Sequence, residues 1–308
     1  MSKLLPISAI IPTRDRPLPL KRMLSSLGKQ SVQPVEAIII DGSSNEETTK
    51  LCQTSIPNLD TKLIYHKATE IGAAIQRNQA MAYANEEAIL FLDDDIIFEP
   101  DCLKRLWTAL QNNPHLGGVN AMITNQKYSP PGPISRFLFP FLHGKLETSY
   151  AGKCIGPAFN LLPEDRPDLP AVVEVEWLNT TCTLYRREAL PEHLFDPLLT
   201  RYRLMEDLTL SLKVGKNWQL ANARTARIFH DSQPGDHKNN PTILGKMELI
   251  NRHYIMTQIL ERNTWWDYVK LTVFQLWQIA AVCWHNFSAV GPTLMGKLAA
   301  IKEIIFPL

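Results

Sequence analysis

Residues 1–125 alternate short runs of β-branched and aliphatic residues with stretches whose apolar positions recur at helical intervals. A chain patterned in this way folds as a parallel sheet joined by crossover helices. Residues 7–11, 35–40, 62–66 and 88–92 read as strands, and 20–27, 46–52 and 73–84 as the helices between them. In an open α/β sheet, ligands gather at the carboxyl ends of the strands. The residues that follow each strand are therefore the first candidates for a site.

A further strand at 118–124 leads into a proline-punctuated segment, 128–170, that carries Pro130, Pro131, Pro133, Pro140, Pro157, Pro163, Pro167 and Pro170. Loops of this length are commonly functional, and Phe137, Phe139, Phe141, Leu142 and Phe159 give this one the content of a packed lid or an acceptor surface. Strands resume at 172–176 and 182–185, followed by a helix at 207–214 and a last strand at 226–230. Residues 241–308 are helical in pattern throughout, and the chain has no internal repeat.

With 45% hydrophobic and 20% charged residues, the 308-residue chain has the composition of a folded protein. Its 32 basic and 31 acidic residues leave a net charge of +1, which disfavours nucleic acid as a partner. The five cysteines, Cys52, Cys102, Cys154, Cys182 and Cys283, show no metal-ligand or redox spacing and suit a reducing compartment. The apolar stretch at 7–11 is too short for the core of a signal peptide, and no run of about eighteen apolar residues occurs. A cytoplasmic location is the expectation.

The sharpest chemical signal is Asp93, Asp94 and Asp95 directly behind the apolar run 88–92. Three successive carboxylates at the end of a buried strand repel one another and lose hydration, so a bound cation is favoured. Oxygen ligands of this kind point to Mg²⁺ or Mn²⁺, either of which bridges a diphosphate. The plainer reading is an acidic turn ahead of a helix that starts near Asp101.

Four ordered segments give this triplet a family context. The strand ending in Asp93-Asp94-Asp95 resembles the D-x-D motif of family 2 glycosyltransferases, and the resemblance runs from Ile7 to about His230. Residues 7–14 (ISAIIPTR) resemble the opening strand of that family, which implies that Pro12, Thr13 and Arg14 form the turn that holds the nucleotide. Residues 35–44 (VEAIIIDGSS) resemble the second strand, whose terminal Asp41 would accept the imide N–H of uracil or thymine. Residues 71–78 (IGAAIQRN) match the helix beneath the diphosphate, so Arg77 and Asn78 join the nucleotide set with Asp93 and Asp94. By the same resemblance Asp95, with Asp93, would ligate the metal.

The resemblance continues through 177–189, Phe195-Asp196 and 205–212 (MEDLTLSL). On their own, Glu206 and Asp207 read as carboxylates favoured at a helix N-terminus. The resemblance implies instead that Asp207 is the catalytic base and that Glu206 positions the acceptor. His230 stands where several relatives complete the metal shell, although a lone histidine after a strand is also commonly structural. The implied reaction is an inverting, single displacement of the nucleoside diphosphate, with UDP or dTDP sugars favoured as donors and a glycan or lipid-linked acceptor.

The implied architecture is an α/β GT-A fold, a mostly parallel sheet flanked by helices. Residues 1–235 would form the catalytic domain, with 1–125 as its nucleotide-sugar half and 126–235 as its acceptor half; 236–308 would be a C-terminal helical extension. Projected on a helix, residues 265–285 place Asp267, Lys270, Gln275, Gln278 and His285 in one polar arc, with Trp266, Trp277 and Trp284 on a line beside it. Such a line suits peripheral contact with a membrane, and a helical hairpin packed on protein suits it equally. The rival functions are a nucleotidyltransferase, disfavoured because residues 11–19 (IPTRDRPLP) lack glycine, and a catalytically inactive nucleotide-sugar-binding or scaffold protein.

Overall fold

The aliphatic runs form the expected strands, and the structure, a computed structural model, describes residues 3–196, 204–233 and 240–306. Two compact units are present, one of Met1–Tyr128 with Leu162–Ser232 and the other of Ser129–Leu161 with Gln233–Leu308. The first unit opens with β1 (Lys3–Thr13), α1 (Pro17–Leu27), β2 (Val32–Asp41), α2 (Glu47–Gln53), β3 (Lys62–Lys67) and α3 (Ala73–Met81). It continues with β4 (Ala88–Leu92), β5 (Ile96–Phe98), α4 (Cys102–Gln111) and β6 (Leu116–Ile123). The second unit then contributes α5 (Pro133–His143) and the short strands β7 (Cys154–Ile155) and β8 (Phe159–Asn160). The chain returns to the first unit for β9 (Val172–Val175), β10 (Cys182–Arg186), α6 (Glu206–Val214) and β11 (Gln219–His230), and ends in the second with α7 (Pro241–Tyr254), α8 (Trp265–His285) and α9 (Val290–Ile305).

The sheet of the first unit runs β3-β2-β1-β4-β10-β6-β11-β5, with β9 paired to β11. Strands β3, β2, β1 and β4 are parallel, β10 is antiparallel to both its neighbours, and β6 and β11 are parallel again. Both faces are covered, so β1 and β2 read as continuous apolar runs without alternation. Ile7, Ala9 and Ile11 pack with Leu20, Met23, Leu24 and Leu27 of α1. On the other face, Ile10, Ile38, Ile40 and Phe91 pack with Ala74 and Ala80 of α3. Each such aliphatic or aromatic side chain contributes roughly 1.5–3 kcal/mol by leaving water. Register places Thr13 beside Asp41 and Ile10 beside Phe91, so the ends of β1, β2 and β4 lie together at one edge of the sheet.

Three elements differ from the reading of the sequence. Strand β11 begins at Gln219, not near 226, because a register shift between Ala223 and Arg227 interrupts its alternation. Strand β5 is only three residues long and carries too little pattern to be seen. Helix α5 lies inside the proline-punctuated segment, with a proline at its first turn, Pro140 in its interior and Gly144 at φ 89° closing it. A proline at a helix start costs no hydrogen bond, and an interior one is tolerated only with a lost bond.

The second unit is held by aromatic packing and a buried polar network. Phe139 meets Tyr150, Phe159 and Trp277 edge-on at 5.5, 5.6 and 6.1 Å between ring centroids. The guanidinium of Arg252 stacks 4.4 Å from the Phe274 ring and donates to the carbonyls of Pro157 and Ala158. Glu248, buried in the same unit, accepts from Arg252 at 2.5 Å and from Lys297 at 2.8 Å, and Lys297 donates also to Gln275 and Gln278. Residues 129–161 thus cluster with the C-terminal helices. The polar arc is turned inward at Gln275 and Gln278, because buried Lys297 needs acceptors in a dry interior. The tryptophan line is also broken: Trp277 packs in the aromatic cluster, whereas Trp266 and Trp284 are 52% and 87% exposed.

Candidate active site

The acidic triplet forms the turn between β4 and β5, where the all-buried run Ala88–Leu92 ends. The backbone on either side is pinned, with Asp93 N–H donating to Thr181 O at 3.0 Å and Asp231 N–H to Asp95 O at 2.8 Å. Each carboxylate has a different partner. Asp93 takes a 2.6 Å bond from Arg77, and Asp94 takes one of 2.6 Å from the Thr13 hydroxyl. Asp95 lies 3.1 Å from His230 Nε2. Arg16 reaches Asp94 and Asp95 at 3.4 and 3.3 Å. Burial pushes the Asp94 carboxyl up to about 6 against the pull of Thr13 and Arg16, and the negative charges of Asp95 and Asp93 push it the same way.

The oxygens of Asp93 and Asp95 and a ring nitrogen of His230 lie within 4.8 Å of one another. Two carboxylates and an imidazole at that separation fit a divalent cation of the Mg²⁺ or Mn²⁺ type. His230 is carried to the triplet by β11 and fixed by Asn125, which accepts its N–H at 3.1 Å and donates to its carbonyl at 2.9 Å.

At the end of β2, Asp41 is fully buried and its carboxylate is crowded with donors. Ser43 donates through its amide at 2.8 Å and through its hydroxyl, Tyr65 donates at 2.9 Å, and Lys67 approaches to 3.2 Å. Pro12 is buried in β1, and Arg14 is exposed, 3.4 Å from Asp15. Gln76, at the start of α3, ties the strand ends together by donating to Thr13 O and Ile40 O at 3.0 and 2.6 Å.

The next two residues of α3 face different tasks. Arg77 is 3% exposed and lies between the two acidic groups, 2.6 Å from Asp93 and 4.0 Å from Glu206. Asn78 donates to Phe195 O at 2.8 Å and accepts from Phe195 N–H at 3.2 Å, so its amide is spent on the backbone of the loop after β10. That bond pair positions the Phe195 ring 5.8 Å from Phe91 and 5.9 Å from the Arg77 guanidinium.

Glu206 and Asp207 open α6 behind Met205, which sits at φ 66° and caps the helix without a side-chain bond. A methionine in that left-handed region is strained, and such strain gathers at functional sites. Burial and the charge of Glu206 push the Asp207 carboxyl up to about 7, against the Leu208 amide and Arg77, with Asp93 adding to the rise. A carboxyl with that affinity can hold and release a proton near neutral pH.

The sequence reading omitted Arg16, Gln76, Tyr65 and Lys67. Their sequence neighbours carry no signal for these contacts, which arise only when the strand ends meet.

A PGL/p-HBAD biosynthesis glycosyltransferase of Mycobacterium bovis is 31% identical over 137 residues, covering 43% of this chain and 54% of that protein. The match thus spans about half the length of the curated relatives. An uncharacterized glycosyltransferase of Haemophilus influenzae is 29% identical over 113 residues, 37% of each chain. Among solved structures, S. aureus TarS 1-349 superposes with a TM-score of 0.52 at 15% identity, covering 99% of this chain and 81% of that one. The mannosyltransferase PcManGT from Pyrobaculum calidifontis, solved with GDP-Man and Mn²⁺, gives 0.54 at 13% identity, covering 97% and 87%. At such identities the likeness establishes the fold, which is the α/β GT-A fold. The family model of glycosyl transferase family 2 matches residues 8–194, from β1 through the loop after β10, and the chain belongs to that family.

Proposed function

We propose that the chain transfers a sugar from a nucleoside-diphosphate sugar to an acceptor hydroxyl, with inversion at the anomeric carbon. The observation that carries this reading is the place of Arg77, one buried cation between Asp93 of the acidic turn and Glu206 of the acid pair. It lies between the carboxylates that this reading assigns to donor and to acceptor, so both groups belong to one site, as proximity catalysis needs.

In this reading Asp207 takes the proton of the acceptor hydroxyl, whose oxygen attacks the anomeric carbon opposite the leaving nucleotide. Glu206 orients the acceptor, and no nucleophile on the protein is needed. Asp93, Asp95 and His230 would hold Mn²⁺ or Mg²⁺, which supplies charge neutralisation at the departing diphosphate. Thr13 and Arg77 orient Asp94 and Asp93, and Arg14 and Pro12 border the nucleotide. In this reading Lys67, the exposed donor on the buried Asp41 carboxylate, gives way to the imide N–H of the base, which favours UDP or dTDP donors. A structure of TarS holds UDP-GlcNAc and one of PcManGT holds GDP-Man. The mycobacterial relative is named for PGL/p-HBAD biosynthesis; a glycan or lipid-linked acceptor in cell-surface polysaccharide or glycolipid synthesis completes the reading. Peripheral attachment to the inner face of a membrane fits such an acceptor, and the exposed apolar side chains of the second unit support it.

The test is Asp95→Ala, which removes a direct metal ligand. Turnover of a panel of nucleotide sugars should vanish, and Mn²⁺-dependent binding of the nucleoside diphosphate should weaken. Full activity of the variant in EDTA overturns the reading.

A further inference from the structure

The guanidinium of Arg16 stands in front of Asp94 and Asp95, on the same Asp95 carboxylate that a divalent cation would use. Its bonds, 3.4 and 3.3 Å, are long for a charge-assisted pair, which usually closes to about 2.7–2.9 Å. In the same site Arg77 closes to 2.6 Å on Asp93. The backbone of Arg16, by contrast, is anchored: Leu20 N–H donates to its carbonyl at 3.1 Å, and the preceding Asp15 donates to Ser43 Oγ at 2.7 Å. Its side chain remains one-third exposed. A fixed backbone carrying a loosely paired, partly exposed cation is built for a side chain that changes partner.

We propose that Arg16 is a mobile counter-charge. It neutralises Asp94 and Asp95 while no metal is bound, is displaced when a divalent cation takes Asp95, and then pairs with the donor diphosphate. The proposal rests on the assignment of Asp93, Asp95 and His230 as metal ligands. Two positive charges cannot share Asp95 without repulsion, so the cation competes with Arg16 for that carboxylate. The freed guanidinium matches phosphate oxygens in a forked, two-bond geometry. Metal and nucleotide binding are then coupled in both directions through this one side chain.

Arg16→Met keeps length and removes charge. Mn²⁺ binding to the protein alone is measured by electron paramagnetic resonance of the free ion, and UDP and GDP binding by calorimetry with and without Mn²⁺. The variant should bind Mn²⁺ about tenfold more tightly without nucleotide, and the diphosphate about tenfold more weakly at saturating Mn²⁺, as for screened charges at a partly exposed site. Arg16→Lys, which keeps the charge, should remain near wild type for Mn²⁺. If Arg16→Met does not fold, Arg16→Gln is read in its place by the same criteria. Mn²⁺ affinity that is unchanged or weaker in the neutral variant, while the wild type binds Mn²⁺, overturns the role of Arg16 and leaves the metal site standing. A wild type that binds no Mn²⁺ overturns both.

Discussion

The carboxyl of Asp207, raised to about 7 by burial and by Glu206, has consequences for rate and for stability that run in opposite directions. As the proposed base it must be ionised, so turnover should climb from about pH 5.5 to a plateau above about pH 8, which a pH–rate profile under saturating donor would show. A carboxyl raised above its unfolded value of about 4 binds its proton more tightly in the folded state. Its ionised form therefore costs stability: the cost builds as pH rises from about 4, is complete above about 7, and is fully relieved only when pH falls back to about 4. Asp207→Asn should lower turnover by roughly 10²-fold or more with donor binding kept, while thermal stability at pH 8 holds or rises. A variant that loses stability yet keeps its rate per folded molecule would make Asp207 a structural residue of α6. The acids were legible in the sequence because each set is contiguous: Asp93 to Asp95 after an apolar run, Glu206-Asp207 before a helix. Arg16 and Gln76 were not: their partners lie 78 and 63 residues away, and the family resemblance that reached Thr13 and His230 across 81 and 135 residues assigned neither a role.

Elements follow the same division between local and distant causes. Strands β1, β2 and β4 were legible because a sheet covered on both faces demands uninterrupted apolar runs. Helix α5 was hidden by its own prolines and is held by Phe139 and Leu142, whose burial depends on neighbours elsewhere in the second unit. The crossing of α7 and α9 was likewise unreadable, since it depends on two glycines. A Cβ at Gly245 would lie 2.8 Å from Thr293 O, and one at Gly296 only 2.1 Å from Thr242 O, backbone atoms that cannot turn aside. Gly296→Ala should therefore destabilise the protein by about 2 kcal/mol or more in urea unfolding, through overpacking. Gly291→Ala, in the same helix with nothing within 4 Å of the added carbon, should be neutral or stabilising by up to about 1 kcal/mol. Equal small gains in both variants would show that helix propensity, not the close approach, governs this pair.

At the scale of the molecule, the two units differ in how they treat apolar surface. Among the described residues of the first unit, the exposed large apolar side chains are Leu4, Leu18, Ile71, Tyr83 and Phe229. The second unit exposes many more, including Phe137 at 83%, Trp284 at 87% and Phe287 at 80%, with Met295, Leu298 and Ile305 along α9. Glu248 of this unit is paired with Arg252 and Lys297, Glu147 with Lys145 and Lys153, and Glu303 with Lys246. No helix among the described residues is long and apolar enough to cross a membrane. Exposed apolar side chains beside three paired acids suit insertion at headgroup depth, where tryptophan is favoured. The experiment is co-sedimentation with anionic vesicles of the wild type and of a Trp266→Ala, Trp284→Ala, Leu298→Ala variant, with oligomeric state followed by light scattering. Trp277 is left intact because it belongs to the aromatic core of the unit. Binding should fall by about tenfold or more in the variant, with no change in oligomeric state. A wild type that stays in the supernatant as a dimer, paired with a monomeric variant, would assign these residues to an assembly interface and remove the membrane from the proposal.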